Sequence, residues 1–212
     1  MAAQVALPIF PLPDLAFFPH TMLPLHVFEA RYRAMVTDCL ARDKRLAVVG
    51  LKPGYEAGYE GKPPVYPITG VGRIVQWERL ATGRFNLLLR GECRARIDRE
   101  LPADTLYRMV AATPLEETGA TSAGVPALAG RVKARCRQIL SAVGRSGADL
   151  QATVEALEHP GELCDQVASA LIPAPATRQA LLEDLDVERR LERLAAALDD
   201  LLSQLTGEGG RQ

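Results

Sequence analysis

The sequence predicts an α+β chain, with a β-rich first half folding as a small closed or half-closed barrel around one early helix, followed by a helical second half. Three observations predict this. Short apolar segments punctuated by Pro and Gly fill residues 1–117. One long run, Arg84 to Ile97, alternates apolar and polar residues with the period of a strand. After a small polar linker, Thr118 to Gly124, the period changes to that of a helix and remains so. The domains expected are 1–117, a helical bundle at 118–206 and a disordered tail at 207–212.

The elements follow in order. Leu7–Leu12 and Met22–Val27 are short apolar segments in which proline recurs; proline donates nothing to a ladder, so edge or bulged strands are expected. Between them, Asp14 to His20 reads as a turn carrying Phe17 and Phe18. Phe28, Tyr32, Met35, Val36, Cys39 and Leu40 share one face of a helix from about Phe28 to Arg42. Leu46–Leu51 is a compact strand, and Val71–Leu80 turns through Ala81-Thr82-Gly83 into the long alternating strand, where Gly91 marks a bulge. Leu106–Thr113 closes the β region. Further on, Val132, Cys136, Ile139, Leu140 and Val143 make one helical stripe, and Leu163, Val167, Ala170 and Leu171 another. A short helix around Gln179–Leu185 precedes the strongest one, where Val187, Leu191, Leu194, Leu198, Leu201 and Leu205 recur behind Asp186 as N-cap.

Composition bounds the function classes. A net charge of -1 gives no global attraction to nucleic acid or anionic membranes. Residues 1–117 carry 15 basic and 13 acidic side chains and the remainder 10 and 13, too even a split to name a partner. Cys39, Cys93, Cys136 and Cys164 lie in apolar periodic stretches with no CxxC spacing, so buried reduced thiols are expected. Neither a signal-peptide pattern nor an apolar run of membrane-spanning length is present, which predicts a cytoplasmic protein with no membrane association.

Particular residues add a resemblance. Leu7-Pro-Ile-Phe-Pro-Leu-Pro-Asp14, the Met22-Leu-Pro-Leu25 strand and Phe28-Glu-Ala-Arg-Tyr-Arg-Ala-Met35 resemble the Lon protease N-terminal (substrate-binding) domain family. So do Gly70–Val75 with Leu87–Ile97, and in the second half Leu163–Ala168, Arg178–Glu183 and Asp186–Leu194. The likeness runs in order along nearly the whole chain, with 118–160 matching least, and is nearest to stand-alone bacterial members lacking the ATPase and protease modules. It implies a PUA-like pseudo-barrel followed by a helical bundle, and a non-catalytic domain that binds polypeptide.

No catalytic constellation is legible. Gly61-Lys62 is the nearest approach to a phosphate loop, but Glu56 stands where the first glycine belongs and Pro63 replaces the hydroxyl residue. Gly144-Arg-Ser146-Gly147 lacks the spacing of a nucleophile elbow, and Lys133 sits on a solvated helix face. His20, His26 and His159 are too dispersed for a metal site. No enzyme activity, cofactor or metal is expected.

Recognition remains. Tyr55 and Tyr59, on a loop framed by Gly and Pro, are peptide-binding candidates, as are Phe17 and Phe18. The alternative is an RNA-binding module using Arg84, Arg90, Arg94 and Arg96 on the polar face of the hairpin. A third reading is an accessory subunit of an ATP-dependent protease complex. The sequence leaves the oligomeric state open.

Overall fold

Segments rich in β-branched and aromatic residues form six strands in the first part of the computed structural model, which describes residues 3–58, 61–143 and 148–208. Tyr59, the Gly144–Gly147 segment and residues 209–212 of the expected tail lie outside the described residues. The chain divides into two units, Met1–Glu116 and Glu117–Gln212.

In the first unit the order is β1 (Val5–Leu12), β2 (Met22–Val27), α1 (Ala30–Leu40), β3 (Arg45–Gly50), β4 (Ile68–Arg79), β5 (Phe85–Leu101) and β6 (Met109–Leu115), with one 3₁₀ turn at Tyr55–Gly58. The strands lie in the order β2-β5-β4-β3-β1-β6, and β5 also pairs with β6. Five strands therefore close on themselves through β5. The ring is not a clean barrel, because β5 divides: Phe85–Arg90 pairs with β2, and Arg94–Leu101 pairs with β6.

β1, expected as an edge or bulged strand, is internal, parallel to β3 and antiparallel to β6. Its prolines are tolerated because the two pairings are staggered. Residues 5–8 pair with β6 and residues 9–12 with β3, so Pro8 and Pro11 each sit where one side of the strand is unpaired.

The long strand explains the two cores. Along β4 and β5 the register runs Ile74 to Leu89, Gly72 to Gly91, then Val71 to Cys93, so Glu92 is the extra residue of a bulge. One extra residue reverses the side-chain parity. Before it, Phe85, Leu87 and Leu89 join Ile74, Leu46 and Val48 on the outer face of the sheet, packed under Tyr32, Met35, Val36 and Cys39 of α1. After it, Cys93, Ala95 and Ile97 join Leu7, Ile9, Ala47, Val49, Val71, Val110 and Ala112 inside the ring. The sequence suggested one packed face and a bulge at Gly91; the strand serves two cores and the bulged residue is Glu92. Two further shifts occur, at Val75 of β4 between Ile74 and Gln76, and at Asp98 of β5 between Ile97 and Arg99.

Phe28 also departs from expectation. It lies before the first turn of α1 and is 59% exposed, so it belongs to the β2 end of the chain and not to the helix face.

The second unit holds α2 (Val125–Ala142), α3 (Ala148–Ala156), α4 (Pro160–Leu171), α5 (Pro175–Glu183) and α6 (Val187–Glu208). Proline opens α4 and α5 at the position where its missing N–H costs nothing. Asp186 caps α6, accepting from Arg189 N at 3.0 Å. The leucine stripe is buried through Leu198 and half-buried at Leu201 and Leu205. α6 packs against α2 and α4, where Val132, Cys136 and Ile139 and Leu163 and Val167 are likewise buried. α3 went unread because its nine residues carry little apolar periodicity. The linker is tied down at Thr118, whose N donates to Leu185 O at 2.9 Å and whose O accepts from Val187 N at 2.8 Å.

Candidate functional site

The first unit presents an open sheet face and, among its cavities, two of more than 300 Å³. Where β2, β5 and β4 extend beyond the ring, one face is covered by α1 and the other is not. Proline and alternation set the uncovered face: Met22, Pro24 and His26 of β2 point away from Leu23 and Leu25, which pack toward the α1 core. Met22 is 49% exposed, and Phe28 continues the same parity with its ring stacked on His26 at 6.4 Å. Across the sheet the register places Pro24 beside Leu88 and Leu88 beside Gln76. A polar row borders this patch: His26 Nδ1 lies 2.8 Å from Asn86 Oδ1, and Asn86 Nδ2 donates to Glu78 Oε2 at 3.2 Å. The result is an apolar stripe, Met22-Pro24-Phe28 with Leu88, on a rigid sheet.

One cavity, of 330 Å³, opens at the mouth of the ring over Val5, Leu7, Val71 and Cys93. At its rim Glu92 accepts from Arg45 Nε and Arg73 Nε, each at 2.7 Å. Burial and the nearby Glu92 carboxylate push the Cys93 thiol up, so it is a poor nucleophile there. The other cavity, of 440 Å³, is lined by Arg31, Tyr32, Lys62 and the loop 102–106. Arg108 ties its base by pairing with Glu100 and donating to Pro63 O at 2.8 Å.

The structure redistributes the residues singled out from sequence. Phe17 and Phe18 are 3% and 0% exposed, which removes them from any peptide-facing surface. The cause is a close approach across the fold: Gly70, Gly72 and Gly91 leave no Cβ where the backbone and ring of residues 17–18 press onto β4 and β5. Tyr55 is half-buried at the start of the 3₁₀ turn. The arginines do not form one surface. The Glu92 bulge places Arg90 on the face opposite Arg94 and Arg96, Arg94 is 2% exposed, and Arg96 is paired with Asp98 at 3.0 Å. Arg84 lies before the strand, at the turn.

Met22–Val27 reads as an edge or bulged strand and lies at the edge of the sheet, but its apolar composition gives no sign of which face stays exposed. The exposure follows because α1 covers one face of the sheet and, among the described residues, nothing packs over the other. Among the described residues no group of His, Cys, Asp and Glu could hold a metal ion, and no helix is long and apolar enough to cross a membrane.

Comparison with known proteins decides the family. The model of the ATP-dependent protease La (LON) substrate-binding domain matches residues 6–200. This chain belongs to the Lon substrate-binding domain family. Lon protease 2 of Myxococcus xanthus is 28% identical over 194 residues, 91% of this chain and 23% of that protein. The Lon protease of Azospirillum brasilense is 28% identical over 203 residues, 95% of this chain and 25% of that protein. The chain thus spans about a quarter of the Lon proteases it matches. The fold agrees with the N-terminal domain of Mycobacterium avium complex Lon protease (TM-score 0.75, 23% identity, 92% of this chain and 99% of that one). It also agrees with a Lon N-terminal domain protein from Xanthomonas campestris (TM-score 0.66, 23% identity, 91% and 98%). The matched family is named for substrate binding, and the open β2-β5-β4 face lies within its matched region.

Proposed function

We propose that this Lon-family domain captures apolar segments of unfolded or damaged polypeptide on the open face of β2-β5-β4 and serves as an adaptor for them. The observation that carries the reading is the exposure of Met22 and Phe28, 49% and 59%, on one parity of the outermost strand. Large apolar side chains that stay in water on a sheet otherwise packed against α1 lose that exposure when an apolar segment covers them, which favours binding. The polar row His26-Asn86-Glu78 bounds the patch and offers hydrogen-bonding groups to a peptide backbone. Capture involves burial alone, without covalent chemistry. Tyr55 remains a second candidate contact, on its own loop after β3. The family supports a polypeptide ligand, and the division of the arginines between two faces weighs against a phosphate track.

The test is fluorescence anisotropy with a labelled apolar peptide and a structured RNA at low and moderate salt. Polypeptide binding should persist as salt rises, and Met22→Ser with Phe28→Ser should weaken it about tenfold or more, as expected when exposed anchors lose about 1.4 kcal/mol or more of burial. Tyr55→Ala should have a smaller effect. RNA binding that collapses with salt, with no peptide binding, would overturn the proposal.

A further inference from the structure

The sheet has two outer edges in this region, and they differ. The hairpin turn settles which backbone groups face them. Leu80 N donates to Arg84 O at 2.9 Å and Gly83 N donates to Leu80 O at 2.8 Å, with Gly83 at φ +77, so Leu80 and Arg84 form the bonded pair that closes the hairpin. Bonded and non-bonded pairs alternate in an antiparallel ladder. Arg79 and Phe85 are therefore a non-bonded pair, as are Trp77 and Leu87. The N–H and C=O of Trp77 and Arg79 consequently point away from β5, outward from the sheet. β3 stops pairing at Arg73, and the last backbone bond on that side is Ile74 N to Lys44 O at 2.9 Å. Among the described residues no backbone partner meets Trp77 or Arg79 there. The same alternation carried across β5 puts the nitrogen of Pro24 on the outer edge of β2. That edge is interrupted by a residue with no donor, and the β4 edge is not.

The charges beside the β4 edge are sorted by face. Trp77 is 44% exposed, and Lys44 Nζ sits 4.3 Å above its ring. Arg79 lies on the same face, its guanidinium 5.9 Å from the Phe85 ring. Arg33 reaches the hairpin tip, its Nη1 3.1 Å from where a Cβ on Gly83 would stand. Glu78 has the opposite parity and is held by Asn86. Asp43 accepts from Arg45 N at 3.2 Å. One side of the edge thus offers Lys44 over the indole, Arg79 two residues along the strand and Arg33 at the hairpin tip.

We infer that the β4 edge at Trp77–Arg79 binds an extended polypeptide segment as an added strand, with acidic side chains at alternate positions lying over Lys44, Arg79 and Arg33. This rests on the polypeptide-binding reading above and adds a second, backbone-directed mode to it. A strand satisfies the outward N–H and C=O groups whatever its side chains, and the cations select acidic residues on one face.

Trp77 is the single tryptophan of the chain, so its emission reports the edge directly. The experiment titrates the intact protein with a soluble peptide of alternating Glu and Val, the same peptide N-methylated at alternate backbone positions, a Lys–Val counterpart, a single-stranded RNA, and the apolar peptide used above. The Glu–Val peptide should shift Trp77 emission to the blue. N-methylation should weaken binding at least about tenfold, because it removes ladder donors and leaves the side chains intact. Arg79→Glu should weaken the Glu–Val peptide and spare the apolar one. Equal binding of methylated and unmethylated peptides would overturn strand addition. Tighter binding of the Lys–Val peptide, or RNA giving the same emission shift with the same Arg79 dependence, would overturn the acidic-strand assignment. Binding of the apolar peptide without the Glu–Val one would sink this inference and leave the open-face reading standing; binding of neither would sink both.

Discussion

A Cβ on Gly91 would run into the carbonyl oxygen of Phe18, and one on Gly70 into the carbonyl oxygen of Phe17. The segment before β2 lies directly on the sheet because those two positions lack side chains, and Thr21 Oγ1 pins it by donating to Phe18 O at 2.7 Å. The opposing atoms are backbone and cannot swing aside, so Gly91→Ala should cost about 3 kcal/mol, read as a lowered urea midpoint with unchanged slope. Asp98 provides a second test at this scale. Hydrogen bonds from Thr113 at 2.7 Å and Gln4 at 2.8 Å, with the Arg96 guanidinium, hold its carboxyl down to about 2. A depressed carboxyl contributes stability that is present above the ordinary value of 3.8 and is lost as pH falls toward 2. Asp98→Asn should therefore flatten the acid limb of stability between about pH 4 and 2, measured by thermal unfolding across that range. Both residues sit in β5, and neither role is legible from its neighbours in sequence. Gly91 resembles a bulge glycine and Asp98 a solvated charge until β2, β4 and β6 are in place.

Single elements carry more than their periodicity shows. The α6 stripe was readable because leucines at three- and four-residue spacing fill one helical face. Arg190, on the same helix, reads as one of several surface arginines and is 0% exposed. Its Nη2 meets Glu117 Oε1 at 2.5 Å, its Nη1 donates to Asp184 O at 3.1 Å, and its Nε lies 3.8 Å from Asp165 of α4. It thereby joins the start of the unit, α4 and the α5–α6 turn. Arg190→Met should destabilise by about 3–5 kcal/mol, because the cation leaves a buried carboxylate behind. Restoring the loss in Arg190→Met with Asp165→Leu, read by the same denaturant titration, would identify the buried charge as the cause. In β5 the comparable element-scale device is the pair of acidic bulges. Glu92 is held by Arg45 and Arg73, and Asp98 by Arg96 and Thr113, so each break in register is anchored by the residue that makes it.

At the scale of the whole molecule, local pattern was enough for the α+β class, the β-rich first half, the helical second half and the strand–turn–strand at residues 81–83. Those features depend on propensities and periods within a few turns of chain, and the sequence determined them by itself. The resemblance to the Lon substrate-binding domain was legible for the same reason, carried by motifs in order along the chain. Tertiary structure decided which of the candidate residues are exposed. Phe17 and Phe18 became core because three distant glycines admitted them. Met22 and Phe28 became surface because they fall on the parity of the sheet that α1 does not cover. Four arginines in one strand-like run separated because a bulge reversed their parity and buried Arg94. The edge at Trp77–Arg79 exists because β3 stops short of the hairpin. Each outcome turns on which strand lies beside which, a choice made by pairing between residues far apart in sequence, and periodicity within one segment holds no information about its neighbour.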